Sequence, residues 1–371
     1  MGKVIIIGAG IVGASAAYEL AQKGFHVTLI DEHADGRATS AAAGIICPWV
    51  TRRRNKAWYE LARKGAAYIE QLISELHADG ERDTGYKKIG AMRLHTDVEK
   101  LHELKEIACK RREIAPQIGE LTLLSEKETQ EKLPMLNGTY SSLFIEGAAR
   151  VDGRALRDSL ISAAKKYGAI YIKGKANINS KQNKITGVEV GEKNVHADMV
   201  IATNGVWMPQ LLKPLGINLN ITAQKGEIIH LQTDTIDTSS LPVVMPPNNQ
   251  YMLHFDRGKI VIGASHANTD TLTTNITASG IHYILDEALK VAPGLSNLSI
   301  VETRVGFRPF TFNHLPIFGK IPEINGLLIA NGLGASGLTT GPFIGKQLAA
   351  MVEGSELDVE LNAYRVEQVL K

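Results

Sequence analysis

Cysteine is nearly absent from this sequence of 371 residues, which contains only Cys47 and Cys109. The two lie far apart and form neither a CxxC redox pair nor a set of metal ligands. We therefore expect no bound metal, and a dithiol-dependent reductase is disfavoured.

An excess of charge is also missing, because 41 Lys and Arg nearly balance 39 Asp and Glu. Nucleic-acid binding needs a positive field that neutralises phosphates, so we expect no nucleic-acid partner. The sequence has no secretory signal pattern and no apolar run that approaches about 18 residues. We therefore expect a cytoplasmic protein without a transmembrane segment, while attachment to a membrane surface stays open.

The first thirty residues have the pattern of a βαβ unit. The apolar residues 4–7 predict a buried parallel strand, residues 11–24 a helix that ends at Lys23 and Gly24, and residues 27–30 a second strand. This arrangement is typical of the first part of a nucleotide-binding fold.

A glycine motif of the form GxGxxG, made by Gly8, Gly10 and Gly13, follows the first strand. The first glycine permits a tight turn, the second lets the backbone approach a pyrophosphate, and the third lets helix and strand pack closely. Asp31, 18 residues beyond Gly13, can accept the ribose hydroxyls of an adenosine. It would repel a 2′-phosphate, so Arg37 is expected to be solvated. The motif predicts a dinucleotide but does not distinguish NAD from FAD.

A second glycine-rich segment lies near the C-terminus. Residues 304–342 contain Arg308, an apolar run at 327–330, and a glycine cluster that begins at Gly332. A C-terminal segment that returns to an N-terminal nucleotide fold is expected when a long flavin must be held at both ends. This pairing favours FAD.

The rest of the chain predicts two lobes. Residues 58–76 predict an amphipathic helix, residues 177–184 a turn-rich connection, and residues 195–203 a strand. The predicted fold class is α/β with an α+β second lobe: a Rossmann-like FAD-binding domain and a discontinuous mixed-sheet substrate domain. We assign residues 1–85, 147–222 and 304–371 to the FAD-binding domain, and residues 86–146 and 223–303 to the substrate-binding domain.

Four segments in order resemble the D-amino acid oxidase family. They are ATSAAAGIICP (38–48), ARVDGRAL (149–156), ATNGVW (202–207) and the C-terminal glycine segment. The relatives of this family are the glycine oxidases, D-amino acid dehydrogenases and sarcosine oxidases, all FAD enzymes. The resemblance runs from residue 4 to about residue 352. Residues 305–314 lack the cysteine by which sarcosine oxidases tether their flavin, so noncovalent FAD is expected.

The resemblance also implies which residues contact FAD. Residues 40–46 would pass along the flavin ring, residues 203–205 would lie beside the diphosphate, and residues 332–340 would face the pyrimidine edge of the ring. The predicted cofactor-binding residues are Gly8, Ala9, Gly10, Ile11, Val12, Gly13, Asp31, Glu32, Ser40, Ala41, Ala43, Gly44, Ile45, Ile46, Thr203, Asn204, Gly205, Trp207, Gly332, Gly334, Ala335, Ser336, Gly337, Leu338 and Thr339.

Two substrate residues follow from the same resemblance. Arg308 falls where the family holds its substrate carboxylate, and a guanidinium suits that role because it can form two charge-assisted hydrogen bonds. Tyr251 falls where glycine oxidase-like members place a tyrosine over the substrate. Ala335 stands where glycine oxidases carry a second arginine, and Thr339 stands where sarcosine oxidases have a lysine. The substrate specificity of neither subgroup is therefore implied.

The resulting hypothesis is FAD-dependent oxidation of the C–N bond of a small amino acid: a D-amino acid, glycine or N-methylglycine. Hydride transfer to flavin N5 would give an imino acid and then a 2-oxo acid. The electron acceptor would be oxygen or a quinone. No catalytic residue is certain, because this reaction needs no dedicated base when the amine binds uncharged. A homo-oligomer stays open.

Two alternatives remain. A 2-hydroxy acid oxidoreductase would need a base for the hydroxyl proton, and His254 and His314 are its candidates. Both are otherwise expected to be packed or surface histidines. A noncatalytic flavin-binding subunit is the second alternative. Cys47 is expected to be a small buried hydrophobic residue. The basic cluster Arg52, Arg53, Arg54 and Lys56 is expected to be a solvated loop.

Overall fold

The computed structural model describes residues 2–370, and this part of the chain forms 21 strands and eight α-helices. The strands are β1 (Lys3–Ile7), β2 (His26–Asp31), β3 (Ile45–Ile46), β4 (Lys87–Lys88), β5 (Ala91–His95), β6 (Leu121–Leu124), β7 (Ser141–Ile145), β8 (Ala149–Arg150), β9 (Ile170–Lys173), β10 (Ala176–Lys181), β11 (Lys184–Val190), β12 (Lys193–His196), β13 (Met199–Ala202), β14 (Thr222–Gln232), β15 (Val243–Met245), β16 (Tyr251–His254), β17 (Lys259–Gly263), β18 (Ala267–Thr269), β19 (Ser299–Phe310), β20 (Ile317–Lys320) and β21 (Leu327–Asn331). The helices are α1 (Ile11–Gln22), α2 (Lys56–Ala78), α3 (Val98–Arg112), α4 (Glu126–Lys132), α5 (Gly153–Lys166), α6 (Met208–Leu212), α7 (Ala278–Val291) and α8 (Gly337–Glu353).

A six-stranded sheet carries the glycine motif. Its strand order is β20-β21-β13-β1-β2-β9, and only β20 runs antiparallel to its neighbour. The helix α1 packs against α5 and α8 on one face of this sheet. The chain order reverses at β1, whose neighbours are β2 and β13, and a ligand crevice is expected at the carboxyl ends of the strands at such a point.

A nine-stranded sheet forms the second layer. The long strand β14 pairs with β19 on one edge and with β18 and β17 on the other, and β16, β15, β5, β7 and β6 continue the sheet. All pairs are antiparallel except β15 with β5. The sheet draws its strands from residues 91–145 and 222–310, so β19 crosses residue 304, where we placed a domain boundary. The division into two domains stays a prediction.

Two small sheets, β10-β11-β12 and β3-β8-β4, complete the fold. The residues before β3 run directly beneath β19. A Cβ added at Gly306 would lie 2.8 Å from the Cβ of Ala41, so glycine is needed for the two segments to come this close. The nine-stranded sheet is thereby held over the crevice of the six-stranded sheet.

The predicted α/β class with parallel and antiparallel sheets is confirmed, and two local predictions are wrong. Residues 177–184, predicted as turns, lie mostly in β10, whose buried residues alternate with exposed Asn and Lys. The predicted strand at 195–203 is divided, because β12 ends at His196 and β13 begins at Met199. Between residues 2 and 370, no helix is both long and apolar enough to cross a membrane.

Candidate active site

A cavity of about 790 Å³ lies between the two large sheets. This volume is within the range of roughly 300 to 1,000 Å³ that is usual for ligand sites. Its wall is formed by the loop between β1 and α1, by residues 31–45 and 203–207, by β19, and by the segment between β21 and α8. The cavity therefore joins both glycine-rich segments and the predicted substrate residues.

The glycine motif builds one end of this cavity. Gly8 has φ +98°, and an added Cβ would lie 2.8 Å from the backbone of Asn204. An added Cβ at Gly13 would lie 1.9 Å from the carbonyl oxygen of Gly8, so this glycine serves the packing of helix on strand. The N–H groups of Gly10 and Val12, which line the cavity, have no acceptor within the described residues. Such free N–H groups at a helix start are donors for a phosphate.

Asp31 lies beside these donors at the end of β2. Its carboxylate accepts the N–H groups of Ala9 at 2.6 Å and His33 at 2.7 Å, and Arg37 Nη1 lies 3.4 Å away. Oδ1 thus has two donors, and Oδ2 keeps a lone pair for a ribose hydroxyl. The expectation that Arg37 is solvated is wrong: its side chain is 26% exposed and lines the cavity, because Asp31 attracts it.

Residues 41–45 form the floor of the cavity. Gly44 has φ +99°, and an added Cβ would lie 1.9 Å from the carbonyl oxygen of Val151. The Thr339 hydroxyl donates to the carbonyl oxygen of Ile45 at 3.2 Å, which ties this floor to the C-terminal glycine segment. The floor is therefore held from two sides.

Asn331 joins two glycine turns at the same edge of the sheet. Its side chain donates to the carbonyl oxygen of Gly205 at 2.8 Å and accepts the N–H of Gly332 at 2.7 Å. The helix α8 then begins at Gly337, where an added Cβ would meet no atom within 4 Å. The start of α8 thus opens onto the cavity. Sequence reasoning missed Asn331, although its place after the apolar run 327–330 marks a strand end.

Arg308 lies in the part of the wall formed by β19. Its Nη1 donates to Gln224 Oε1 at 3.2 Å and to His266 Nδ1 at 2.7 Å. Partial desolvation of the ring, and then the charge of Arg308, lower the pKa of His266, although the residue as a whole is exposed. Both partners are therefore neutral, and no carboxylate of residues 2–370 lies in salt-bridge range of Arg308. Its positive charge faces the cavity uncompensated.

Tyr251 lines the same part of the cavity. Its hydroxyl is buried and has no hydrogen-bond partner in the described chain. Burial raises the pKa of Tyr251 to about 12, although the positive charge of Arg308 acts in the opposite direction. The phenol therefore stays protonated near neutral pH and is available as a donor.

Nineteen of the predicted cofactor residues line the cavity with Arg308 and Tyr251, and six lie behind the wall. These six are Ala9, Gly13, Ser40, Ile46, Gly332 and Ser336. Ser40 accepts from Arg157 Nη1 at 3.1 Å, and Ser336 accepts from Trp58 Nε1 at 3.0 Å, so both support the wall from outside. Sequence reasoning also missed His266 and residues 174–177, which follow β9 at the carboxyl edge of the sheet.

The two candidate bases of the hydroxy acid alternative lie outside the cavity wall, as expected of packed or surface histidines. His254 is fully buried, and its Nδ1 lies 2.8 Å from the carbonyl oxygen of Pro242. His314 is exposed and packs edge-on against Phe310, with ring centres 5.1 Å apart. The hydroxy acid alternative therefore loses both predicted bases.

Cys47 and the basic cluster also lie outside the wall. The Cys47 side chain is half-buried, and desolvation raises the pKa of its thiol to about 12. Arg53 is not simply solvated: it packs 4.6 Å over the ring of Trp58 and donates to the carbonyl oxygen of His314 at 2.9 Å. Arg52, Arg54 and Lys56 are exposed.

These residues fit FAD. A carboxylate suited to a ribose and two free N–H groups at the start of α1 lie at one end of the cavity. The open N-terminus of α8 lies on the same wall, and a second helix start can face the partial negative charge of a ring carbonyl. Neither cysteine lines the cavity, so a thiol tether has no candidate among the described residues.

Comparison with known proteins agrees with this geometry. The family DAO, described as FAD dependent oxidoreductase, matches residues 3–351. The oxidoreductase YurR of Bacillus subtilis, whose activity is uncharacterised, is 52% identical over 98% of each chain. The iminodiacetate oxidase IdaA of Chelativorans sp. BNC1 is 40% identical over 98% of each chain, with a TM-score of 0.95. The glycine oxidase of Geobacillus kaustophilus is 25% identical over 99% of each chain, with a TM-score of 0.87.

Proposed function

The chain belongs to the DAO family of FAD-dependent oxidoreductases, and from this premise we propose that it oxidises the C–N bond of a small amino acid. The products are an imino acid and, after hydrolysis, a 2-oxo acid with a released amine or ammonia. The similar chains named glycine oxidase and iminodiacetate oxidase support an amine donor. FAD is the cofactor.

The observation that carries the proposal is the uncompensated charge of Arg308. Its guanidinium contacts only neutral protein groups, Gln224 and His266, inside the cavity that also contains the nucleotide site. A half-buried cation without a protein counter-ion favours the binding of an anion from elsewhere. An amino acid carboxylate fits, because it can take two parallel N–H bonds from one guanidinium.

The protein residues bind and orient the substrate. Arg308 holds the carboxylate, and the protonated hydroxyl of Tyr251 donates a hydrogen bond to the substrate. FAD, when bound, supplies the acceptor for the hydride that leaves the Cα–H bond as the nitrogen lone pair forms the C=N bond. An amine that binds uncharged provides this lone pair directly. The absence of a carboxylate beside Arg308 also leaves the substrate carboxylate without a competitor.

The proposed substrates are glycine, N-substituted glycines such as sarcosine and iminodiacetate, and small D-amino acids. The greater similarity to an iminodiacetate oxidase favours the secondary amines within this group. Ala335 and Thr339, both on the cavity wall, are uncharged. Neither can therefore supply the additional cation found in some relatives, so Arg308 is the proposed carboxylate anchor.

The test is anaerobic reduction of the FAD-bound protein. Glycine, sarcosine, iminodiacetate, D-alanine, D-proline and D-glutamate are added in turn, and flavin absorbance near the visible maximum is followed. At least one amine should bleach the flavin. In Arg308→Ala the KM of that amine should rise roughly 30-fold or more, because about 2 to 4 kcal/mol of charge-assisted binding is lost.

An exposed arginine outside the wall gives the matched control, and Arg54→Ala should leave KM unchanged. Bleaching by D-lactate or 2-hydroxyglutarate and by no amine would contradict the proposal and favour a hydroxy acid donor. Bleaching by nothing in either set would favour a noncatalytic flavin subunit.

Oxygen or a quinone is the proposed electron acceptor, and the cytoplasm is the proposed location. Oxygen uptake during amine turnover, compared with reduction of a soluble quinone under argon, separates oxidase from dehydrogenase. Analytical ultracentrifugation of the FAD-bound protein tests the proposed homo-oligomer.

A further inference from the structure

One nitrogen of Arg308 makes both of its hydrogen bonds to the protein. Nη1 donates to Gln224 Oε1 at 3.2 Å and to His266 Nδ1 at 2.7 Å. A guanidinium Nη carries two protons, so both protons of Nη1 are used. Nε and Nη2 donate no hydrogen bond of normal length to residues 2–370, and the Tyr251 hydroxyl lies beside the guanidinium. The guanidinium therefore keeps one edge for a ligand.

The face of the guanidinium is also confined. An added Cβ at Gly226 would lie 3.1 Å from Cζ and from Nη2 of Arg308, so the group lies directly over the backbone of β14. Gln224 and Arg308 are paired residues of β14 and β19, which fixes the amide beside Nη1. His266 approaches from the loop between β17 and β18. Three separate backbone segments, β14, β19 and the loop between β17 and β18, thus fix the orientation of the guanidinium.

His266 differs from Gln224 because it is an exposed side chain on a short loop. Its Nδ1 can accept from Arg308 only when that nitrogen carries no proton. The charged group beside His266 is Arg308, whereas Gln224 and Asn249 are neutral. A neutral acceptor holds a guanidinium in place without cancelling its charge.

We propose that His266 is a positioning residue, which together with Gln224 turns the Nε and Nη2 edge of Arg308 toward the substrate carboxylate. The proposal rests on the proposed function only in taking the ligand to be a carboxylate. His266 acts through Arg308 and takes no part in the chemical step. Its neutrality matters as much as its hydrogen bond, because an acidic side chain here would pair with Arg308 and exclude the substrate.

Asparagine and aspartate at position 266 separate the need for a hydrogen bond to Arg308 from the need for a neutral side chain. Their side-chain oxygens occupy about the position of His Nδ1, and the two residues differ from each other in charge. His266→Asn keeps a neutral acceptor, His266→Asp adds a counter-ion, and His266→Ala removes the acceptor. His196, an exposed histidine on β12, gives the control His196→Ala.

The experiment uses the FAD-bound protein and acetate as the probe. Acetate binding is followed by the change in the flavin absorption spectrum, and KM and kcat are measured with the amine that bleaches the flavin. His266→Ala should raise the acetate Kd and the KM about tenfold with kcat within about twofold, the effect of losing one bond to a charged group at an exposed position. His266→Asn should stay close to wild type, and His266→Asp should bind acetate more weakly than His266→Ala.

Equal FAD content and flavin circular dichroism in all variants establish that the site is folded. An unchanged acetate Kd in His266→Ala, a loss confined to kcat, or equal binding by the Asn and Asp variants would overturn the proposal. A wild-type spectrum that acetate does not change would overturn the carboxylate role of Arg308, and with it this inference. Acetate binding that follows the expected order, without bleaching by any amine, would instead refute only the proposed function.

Discussion

The two oxygens of Asp31 reach different parts of the backbone: Oδ2 accepts the N–H of Ala9 at 2.6 Å, and Oδ1 accepts that of His33 at 2.7 Å. One carboxylate thus connects the turn after β1 to the end of β2. Asp31 shapes the glycine turn and also offers the remaining lone pair of Oδ2 to the cofactor. These two roles can be separated by experiment.

Asp31→Asn is expected to weaken FAD binding by at least about tenfold. The NH2 group of asparagine would face the N–H of Ala9 or of His33, and that backbone N–H would then have no acceptor. FAD fluorescence quenching on addition to the apoprotein measures the Kd. The midpoint temperature of thermal unfolding of the apoprotein should also fall by a few degrees. Asp35→Asn, an exposed change on the same loop, should alter neither value.

Gly337 and Gly65 separate cofactor space from protein packing. An added Cβ at Gly337 would meet no protein atom within 4 Å, whereas at Gly65 it would lie 2.1 Å from the carbonyl oxygen of Thr339. Gly337→Ala should not destabilise the apoprotein and can stabilise it, because alanine favours the helix by up to about 1 kcal/mol. The same change should weaken FAD binding. Gly65→Ala should destabilise the apoprotein itself. Apoprotein unfolding and FAD titration measure the two effects. Unchanged FAD affinity in Gly337→Ala would show that the start of α8 does not contact the cofactor.

The nucleotide end of the site could be predicted because its signals are local. Gly8, Gly10, Gly13 and Asp31 lie within one βαβ unit, so their spacing in sequence determines their spacing in space. Arg308 required the family resemblance, since one arginine in a strand has no distinguishing local pattern.

His266 and Gln224 could not be predicted, because they reach Arg308 through the register of β14 with β19 and through a loop more than 40 residues earlier in the chain. A single sequence contains no record of strand register. His254 lies away from the cavity because alternate residues of β16 point to opposite faces, and Tyr251 and His254 are three residues apart. The strand β10 has only two buried apolar residues, Ala176 and Ile178, which is too few to mark a strand in the sequence.

Gly226→Ala is expected to raise the KM for the amine several-fold while kcat and FAD content stay close to wild type. The new Cβ would press on Cζ and Nη2 of Arg308 at 3.1 Å, so the guanidinium must move by a few tenths of an ångström. Steady-state kinetics with the bleaching amine measure the effect. A fall in kcat at constant KM would mean that the change disturbs the flavin and not the guanidinium.

Tyr251→Phe is expected to raise the KM by about tenfold, the cost of losing one hydrogen bond to a charged group. The hydroxyl has no partner among the described residues, so its removal should not lower protein stability. Kinetics and thermal unfolding of the FAD-bound protein test both statements. Lower stability with unchanged KM would assign Tyr251 a packing role.

His230 is expected to make the protein sensitive to acid. It is 3% exposed, and neither ring nitrogen has a partner in the part of the chain described. Burial, and then the nearby charge of Arg304, lower the pKa of His230 to about 4. Above pH 6.5 the ring is neutral in both the folded and the unfolded chain. Below pH 6.5 the unfolded chain binds a proton that the folded chain does not accept until about pH 4, so the free energy of unfolding falls across this window.

His230→Phe removes this titration without removing a hydrogen bond. The free energy of unfolding of the variant should therefore fall less steeply between pH 6.5 and 4, by up to about 1.4 kcal/mol per pH unit. Urea unfolding of the FAD-bound protein at several pH values measures the slope, and the exposed His102→Phe should leave it unchanged.

His254 retains its own acid dependence in both variants, because burial also lowers the pKa of His254 to about 4. Glu302 acts at lower pH, since its bond to Arg304 lowers the pKa of that carboxyl to about 2 and its contribution is lost only below about 4.5. Equal slopes for wild type and His230→Phe would mean that His230 accepts a proton in the folded protein.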